Sequence, residues 1–277
     1  LTKGERTVKV FIHDTSLCNG CYNCQIACKD EHVANDWTPY AKPQPEVGQF
    51  WLKLSEKVRG QVPRVKVAYY PVLCQHCDTA PCMAACKVKD AIYKREDGLV
   101  IIDAVKCTGC RNCLDACPYG AIYFNADLNL AQKCTGCAHL LDRGWKEPRC
   151  VDACPTLALK FMEESDAKEL INKSELLKPE RQNAERVRVY YLNLPKRFIA
   201  GTVYDPVEKE VVIGAKVTLV DSINNKSYIA ATNSFGDFEF ENLPVSKFVI
   251  NIEKGQNSKK IKVSTDSDVS LGDIPLA

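Results

Sequence analysis

Sixteen cysteines crowd between Cys18 and Cys154 of a 277-residue chain, and none follows them. A thiolate is a nucleophile and a soft metal ligand, so this density asks for one common chemistry. The cysteines fall into four quartets: Cys18, Cys21, Cys24, Cys28; Cys74, Cys77, Cys82, Cys86; Cys107, Cys110, Cys113, Cys117; and Cys134, Cys137, Cys150, Cys154. The first and third share the spacing C-x2-C-x2-C-x3-C, the second widens the middle interval to four residues, and the fourth widens it to twelve. Disulfides fit badly. Oxidised frameworks belong to small secreted domains, and three cysteines within seven residues cannot easily find partners at the required Cα separations. Zinc asks for C-x2-C pairs from two separate loops, a pattern that stays open only for the long-gapped fourth quartet.

A C-x2-C-x2-C loop instead wraps three thiolates around three corners of a cubane and sends the fourth onto a helix that points elsewhere. In the bacterial run C-x2-C-x2-C-x3-C-P the fourth thiolate serves the other cluster of a pair. Pro118 and Pro155 complete that run in the third and fourth quartets. The 20 residues between Cys86 and Cys107 suit a short hairpin, so quartets two and three should form one ferredoxin-like unit. Quartets one and four then form a second unit, into which the first is inserted. Exchange of the fourth cysteines gives four ligand sets: set A, Cys18, Cys21, Cys24 with Cys154; set B, Cys134, Cys137, Cys150 with Cys28; set C, Cys74, Cys77, Cys82 with Cys117; set D, Cys107, Cys110, Cys113 with Cys86. They have capacity for four [4Fe-4S] clusters, or three if the stretched fourth quartet is imperfect. Lys29, Lys87, Lys106 and Lys133 adjoin ligand cysteines and are expected either to be solvated or to soften the negative charge of filled sites.

The elements that position these loops are read from periodicity and turn signals. Residues 30–73 form a long insertion rich in aromatics, with Trp37, Phe50, Trp51, Tyr69 and Tyr70; a subunit contact is expected there, with a local core as the alternative. Ser165–Leu177 has helical spacing closed by KPERQ and Pro179, and residues 187–194 alternate as a strand. From Phe198 onward about seven short β-branched and aromatic runs recur between turn signals, which predicts a seven-stranded sandwich or closed barrel without Cys or His. The expected organisation is α+β: an iron-sulfur domain over 1–160, a helix and linker over 161–197, and an all-β domain over 198–277 with a structural or docking role.

Composition narrows the function classes. An apolar fraction of 45% and a charged fraction of 26% allow a sizeable core, while a net charge of +2 makes no case for nucleic acid. No run approaches the roughly 18 apolar residues of a membrane span. The N-terminal LTKGERTVKVFIHD carries neither a twin-arginine pair nor an apolar signal core, so a cytoplasmic location is expected. His13, His32, His76 and His139 are dispersed and are expected to pack rather than catalyse; no catalytic residue is expected on this chain. An iron-sulfur enzyme acting alone would need an open iron, whereas sixteen thiolates complete four sites without remainder. A purely structural protein stapled by metal remains compatible with the thiolates.

The segments CNGCYNCQIACKDEH, LCQHCDTAPCMAAC, KCTGCRNCLDACPYGAI, KCTGCAHLLDRG and PRCVDACPTLAL resemble the iron-sulfur subunits of molybdopterin oxidoreductases of the dimethyl sulfoxide reductase family, over residues 7–160. His76, Arg111 and the ACP endings of the third and fourth quartets match; Lys87 stands where many relatives have Pro. The resemblance implies the same quartet pairing and an electron-transfer role beside a large catalytic subunit holding molybdenum bis-molybdopterin guanine dinucleotide. Gly201, Gly214, Ala215 and NSFGDFEFENLP resemble transthyretin-like, carboxypeptidase-regulatory domains. The combination of these quartets with that terminal domain is similar to the pyrogallol–phloroglucinol transhydroxylase branch, which implies a heterodimer transferring hydroxyl from 1,2,3,5-tetrahydroxybenzene to pyrogallol. The alternative is another molybdenum oxidoreductase, for oxyanions or sulfoxides. Because hydroxyl transfer moves no net electrons, the clusters either set the molybdenum redox state or serve as architecture.

Overall fold

The computed structural model describes residues 7–179 and 186–277, which divide into two units: residues 7–56 with 68–179 and 186–194, and residues 57–67 with 195–277. The first unit is built from short elements. Strand β1 (Lys9–Asp14) enters the first quartet, α1 (Asn23–Val33) leaves it, and the hairpin β2 (Leu52–Gln61) and β3 (Arg64–Leu73) spans the insertion. The second quartet leads through α2 (Pro81–Ala85) to the hairpin β4 (Ile92–Lys94) and β5 (Val100–Ile102). The third repeats the plan with α3 (Asn112–Ala116), β6 (Tyr123–Asn125) and β7 (Leu130–Gln132). The fourth carries α4 (Ala138–Leu141) and α5 (Arg149–Asp152) before β8 (Leu159–Glu163). Helix α6 (Lys168–Lys173) and β9 (Val189–Leu192) close the unit.

β1 is central in a three-stranded sheet, antiparallel to β8 with Phe11 opposite Phe161, and parallel to β9 with Phe11 opposite Val189. The strand period of two puts Phe11 toward a core shared with Trp51, Leu73 and the cysteines, while Val10 and Ile12 face Ala167 and Tyr190. A separate apolar cluster of Cys77, Cys82, Val100, Ile102, Cys113 and Ile122 surrounds the second and third quartets.

The helix read over 165–177 is shorter than its pattern. α6 ends at Lys173 because Glu175 exchanges both backbone hydrogen bonds with Tyr191, at 2.7 and 3.0 Å, which pulls the following residues into extended backbone. The end of the KPERQ segment and residues 183–185 of the expected linker lie outside the described residues.

The second unit carries β10 (Arg197–Tyr204), β11 (Lys216–Asp221), β12 (Ser227–Ala231), β13 (Asp237–Leu243), β14 (Lys247–Lys254), β15 (Asn257–Ser264) and β16 (Val269–Pro275). They form two sheets, ordered β13-β10-β16 and β12-β11-β14-β15, and not a closed barrel. β15 keeps its outer edge unpaired and carries Lys259, Lys260 and Lys262, charges that blunt further strand pairing. Between the sheets lie Ile199, Val203, Val217, Leu219, Phe238 and Ile250, all essentially buried. β10 is buried on its other face too, at Phe198 and Ala200. There residues 57–67 supply the cover: Arg59 and Lys66 sit over the Phe198 ring at 5.8 and 5.2 Å, Arg59 pairs with Asp268 at 3.6 Å, and Lys66 pairs with Glu239 and Glu241.

Candidate metal centres

Each quartet opens on a turn in which the residue before the second cysteine is left-handed: Gly20 at φ 72°, His76 at 45°, Gly109 at 73° and Gly136 at 61°. This conformation reverses the chain so that consecutive thiols return to one side, and glycine adopts it without strain. At Gly109 glycine is also required by space, since a Cβ would stand 2.4 Å from the Asn129 carbonyl oxygen. Turned amides point back at sulfur: His76 N–H donates to Cys74 Sγ at 3.5 Å and Gly136 N–H to Cys134 Sγ at 3.4 Å. Such bonds favour thiolate and tune a bound cluster.

The third cysteine of each quartet rides on a helix, Cys24 on α1, Cys82 on α2, Cys113 on α3 and Cys150 on α5. The fourth lies four residues on, one helical turn away, so one short helix serves two adjacent sites. α1 packs on α5, and α2 packs on α3. This packing sets the first quartet beside the fourth and the second beside the third, as an exchange of fourth cysteines requires.

The structure brings together all four expected sets. Cys18, Cys21, Cys24 and Cys154 line one hollow, and Cys86, Cys107, Cys110 and Cys113 line another, both partly open to solvent. In set B, Cys28 feels the charges of Cys134 and Cys137, and Cys150 those of Cys137 and Cys28. In set C, Cys77 and Cys82 each feel Cys74 and Cys117. The sets form a row. Cys24 of set A acts on Cys28 and Cys150, Cys74 of set C acts on Cys134 of set B, and α2 with α3 joins sets C and D. Exposed thiols, Cys21 and Cys110, occur in the end sets, whereas all four of set B are buried.

Burial first, and mutual repulsion second, raise the thiols: Cys24, Cys77, Cys82 and Cys137 to about 12, and Cys28 and Cys150 well above their usual range. Sets of buried thiols that repel one another as anions need a cationic core to deprotonate them, and soft sulfur donors suit iron-sulfur chemistry. No group of three or more His, Cys, Asp or Glu side chains among the described residues is arranged to hold a single metal ion. The donor set, the turns and the burial fit a four-thiolate cluster.

The four histidines are all buried. His32 packs on Trp51 at 4.6 Å and His139 pairs with Glu31 at 2.9 Å under a stacked Trp37. Burial pushes His13 down to about 4 and His32 down to about 3, so both are neutral around pH 7. His76 accepts the Val100 N–H at 3.0 Å on Nδ1. Among the insertion aromatics, Trp51 is 1% exposed in the local core with Trp37 and Tyr70 packed against it, while Phe50 and Tyr69 are half-buried. Of the four lysines, Lys87 and Lys106 are exposed, Lys29 bonds the Pro45 and Gly48 carbonyls, and Lys133 is fully buried. The left-handed His76 was legible only by aligning the quartets, where it stands in the glycine position.

A family model for a 4Fe-4S dicluster domain matches residues 65–164, which contain the last three quartets. The chain is 38% identical to the pyrogallol hydroxytransferase small subunit of Pelobacter acidigallici, over 96% of this chain and 98% of that one. It is 33% identical to the thiosulfate reductase electron transfer subunit of Salmonella typhi over 65% of this chain and 90% of that one. To a component of the anaerobic dimethyl sulfoxide reductase of Escherichia coli K12 it is 37% identical, over 54% of its own length and 71% of the relative's. No helix among the described residues is long and apolar enough to cross a membrane. With [4Fe-4S] clusters as its cofactors, the chain belongs to the family of iron-sulfur electron-transfer small subunits of dimethyl sulfoxide reductase-type molybdenum enzymes.

Proposed function

We propose that this chain is the non-catalytic small subunit of a cytoplasmic heterodimer whose large subunit holds molybdenum bis-molybdopterin guanine dinucleotide and converts pyrogallol to phloroglucinol, taking hydroxyl from 1,2,3,5-tetrahydroxybenzene. One observation carries the substrate: the 38% identity to the pyrogallol hydroxytransferase small subunit runs through 96% of this chain, including the terminal β unit, whereas the match to the dimethyl sulfoxide reductase component covers 54%. Under this reading 1–160 is the iron-sulfur domain, 161–197 the linker, and 198–277 a transthyretin-like domain that shapes or docks the subunit.

Sets A to D are assigned as ligands of four [4Fe-4S] clusters, Cys18, Cys21, Cys24 and Cys154 first, then Cys28 with Cys134, Cys137 and Cys150, then Cys74, Cys77, Cys82 and Cys117, then Cys86, Cys107, Cys110 and Cys113. When bound, such clusters accept and donate single electrons. The protein holds the thiolates in a row, excludes water from the inner sets, and leaves an exposed thiol at either end where an electron partner can approach. The row favours a relay that sets the molybdenum redox state over a purely architectural role.

The test is to purify the complex anaerobically and supply pyrogallol with catalytic 1,2,3,5-tetrahydroxybenzene. Phloroglucinol formation is the expected result. A complex that leaves both phenols unchanged but oxidises a reduced viologen with dimethyl sulfoxide or thiosulfate would transfer the chain to the reductase branch.

A further inference from the structure

Lys133 follows β7 and directly precedes Cys134, yet it is 2% exposed. Its ammonium donates to the Val100 carbonyl of β5 and to the Cys134 carbonyl at 3.0 Å. Val100 belongs to the apolar cluster that contains Cys77 and Cys82, and Cys134 is a set B thiol, so the charge lies at the junction of the two inner sets. Among the described residues it has no carboxylate partner within ion-pair distance. Its neighbours differ. Lys94 and Arg188, the other cations beside set C, both pair with Asp78, and Arg188 also reaches Glu164 at 3.4 Å. Arg149 beside set B pairs with Glu31 at 3.5 Å and Asp152 at 2.5 Å.

A buried ammonium bonded only to neutral carbonyls is costly unless a counter-charge lies close by. Two carbonyls satisfy its hydrogen bonds without cancelling its charge. The negative charge available in the filled sites is that of the thiolates, with Cys134 of set B on one side and the cluster of Val100, Cys77 and Cys82 on the other. Adding an electron to a centre beside an uncompensated cation is easier than adding it beside paired charges, and low local dielectric preserves the difference.

We propose that Lys133 is the shared counter-ion of the two inner centres, held by Cys28, Cys134, Cys137 and Cys150 and by Cys74, Cys77, Cys82 and Cys117, and that it makes them easier to reduce than a neutral side chain at this place would. The inference rests on the four-cluster assignment above. Its consequence for the relay is a low point at the midpoint of the row, where an electron rests between the two ends.

The test is a potentiometric titration of the intact complex followed by electron paramagnetic resonance, with iron counted on the same samples. Lys133→Gln keeps donors for the two carbonyls and removes the charge. Expected is full iron with one or two of the four transitions made harder by about tenfold or more in the reduction equilibrium, about 59 mV for one electron, and the others nearly unmoved. Four unmoved transitions, or a uniform shift of all four, overturn the proposal. Lys133→Arg should hold the wild-type value. If Lys133→Gln and Lys133→Met both lose iron while Lys133→Arg keeps it, the charge is needed as counter-ion; if all three lose it, Lys133 is a packing element and the proposal fails. Failure of the underlying assignment shows separately, as fewer than four transitions in the unsubstituted complex.

Discussion

The two units bury their cores by opposite means. In the 57–67 and 195–277 unit, strands of five to eight residues follow a period of two where they line the core, as in β14, where Phe248, Ile250 and Ile252 point inward, and apolar burial closes two sheets over one core. In the cysteine unit, helices other than α1 have four to six residues and the hairpins β4-β5 and β6-β7 have three-residue strands, with cysteines occupying core positions in place of larger apolar side chains. Elements that short are not stable alone. The comparison teaches that one unit is specified by its hydrophobic pattern and the other by what its thiols hold.

The sharpest way to break that contrast is to strip the iron. Chelation of the full chain under reducing conditions should cost the cysteine unit on the order of 10 kcal/mol for a structural site. Amide exchange would then speed up across 8–163 outside 57–67, while β10 to β16 keep their protection. A cysteine unit that stays protected without iron would refute the contrast. In the opposite direction, Leu219→Ala removes a side chain with 0% exposure from the second core and should cost about 2–5 kcal/mol. Its signature is a lower melting transition for the β unit with iron content unchanged.

Legibility divides along the same line. The quartet intervals are a local code, so the four quartets could be grouped without tertiary information. The seven strands were equally legible because Val217 and Leu219, or Phe238 and Phe240, carry a period of two. What the chain hid depends on distant contacts. Residues 57–67 cover Phe198 through Arg59 and Lys66, and no local pattern ties that hairpin tip to a strand far along the chain. Lys133 looks like any polar residue beside a ligand until β5 is seen to enclose it. The helical pattern over 165–177 overreaches because the Glu175 and Tyr191 backbone pairing overrides propensity after Ser174.

Smaller perturbations sharpen the contrast further. Gly109→Ala strains a left-handed residue and drives Cβ into the Asn129 carbonyl, at about 1–3 kcal/mol. Set D should then lose its cluster while sets A to C keep theirs, read as a drop in iron by one cluster. In the β unit, hydrogen bonds led by Ser246 Oγ at 2.7 Å, with the Ile223 and Asn224 amides, hold the Asp221 carboxyl at about 2, below its usual 3.8. Because the folded value is the lower, this contribution is complete above about 4 and is lost as pH falls from 3.8 toward 2. Asp221→Asn should flatten the acid limb of β-unit stability in that window; an unchanged limb would show that the Asp221 network does not act through ionisation.

The central claim is that sixteen thiolates form four complete cluster sites. It is tested most directly by quantifying iron, zinc and molybdenum on one anaerobically purified complex. The account predicts about sixteen iron atoms on this chain, four per cubane, with molybdenum on the co-purifying large subunit. Zinc with little iron, or about twelve iron atoms or fewer, would contradict it.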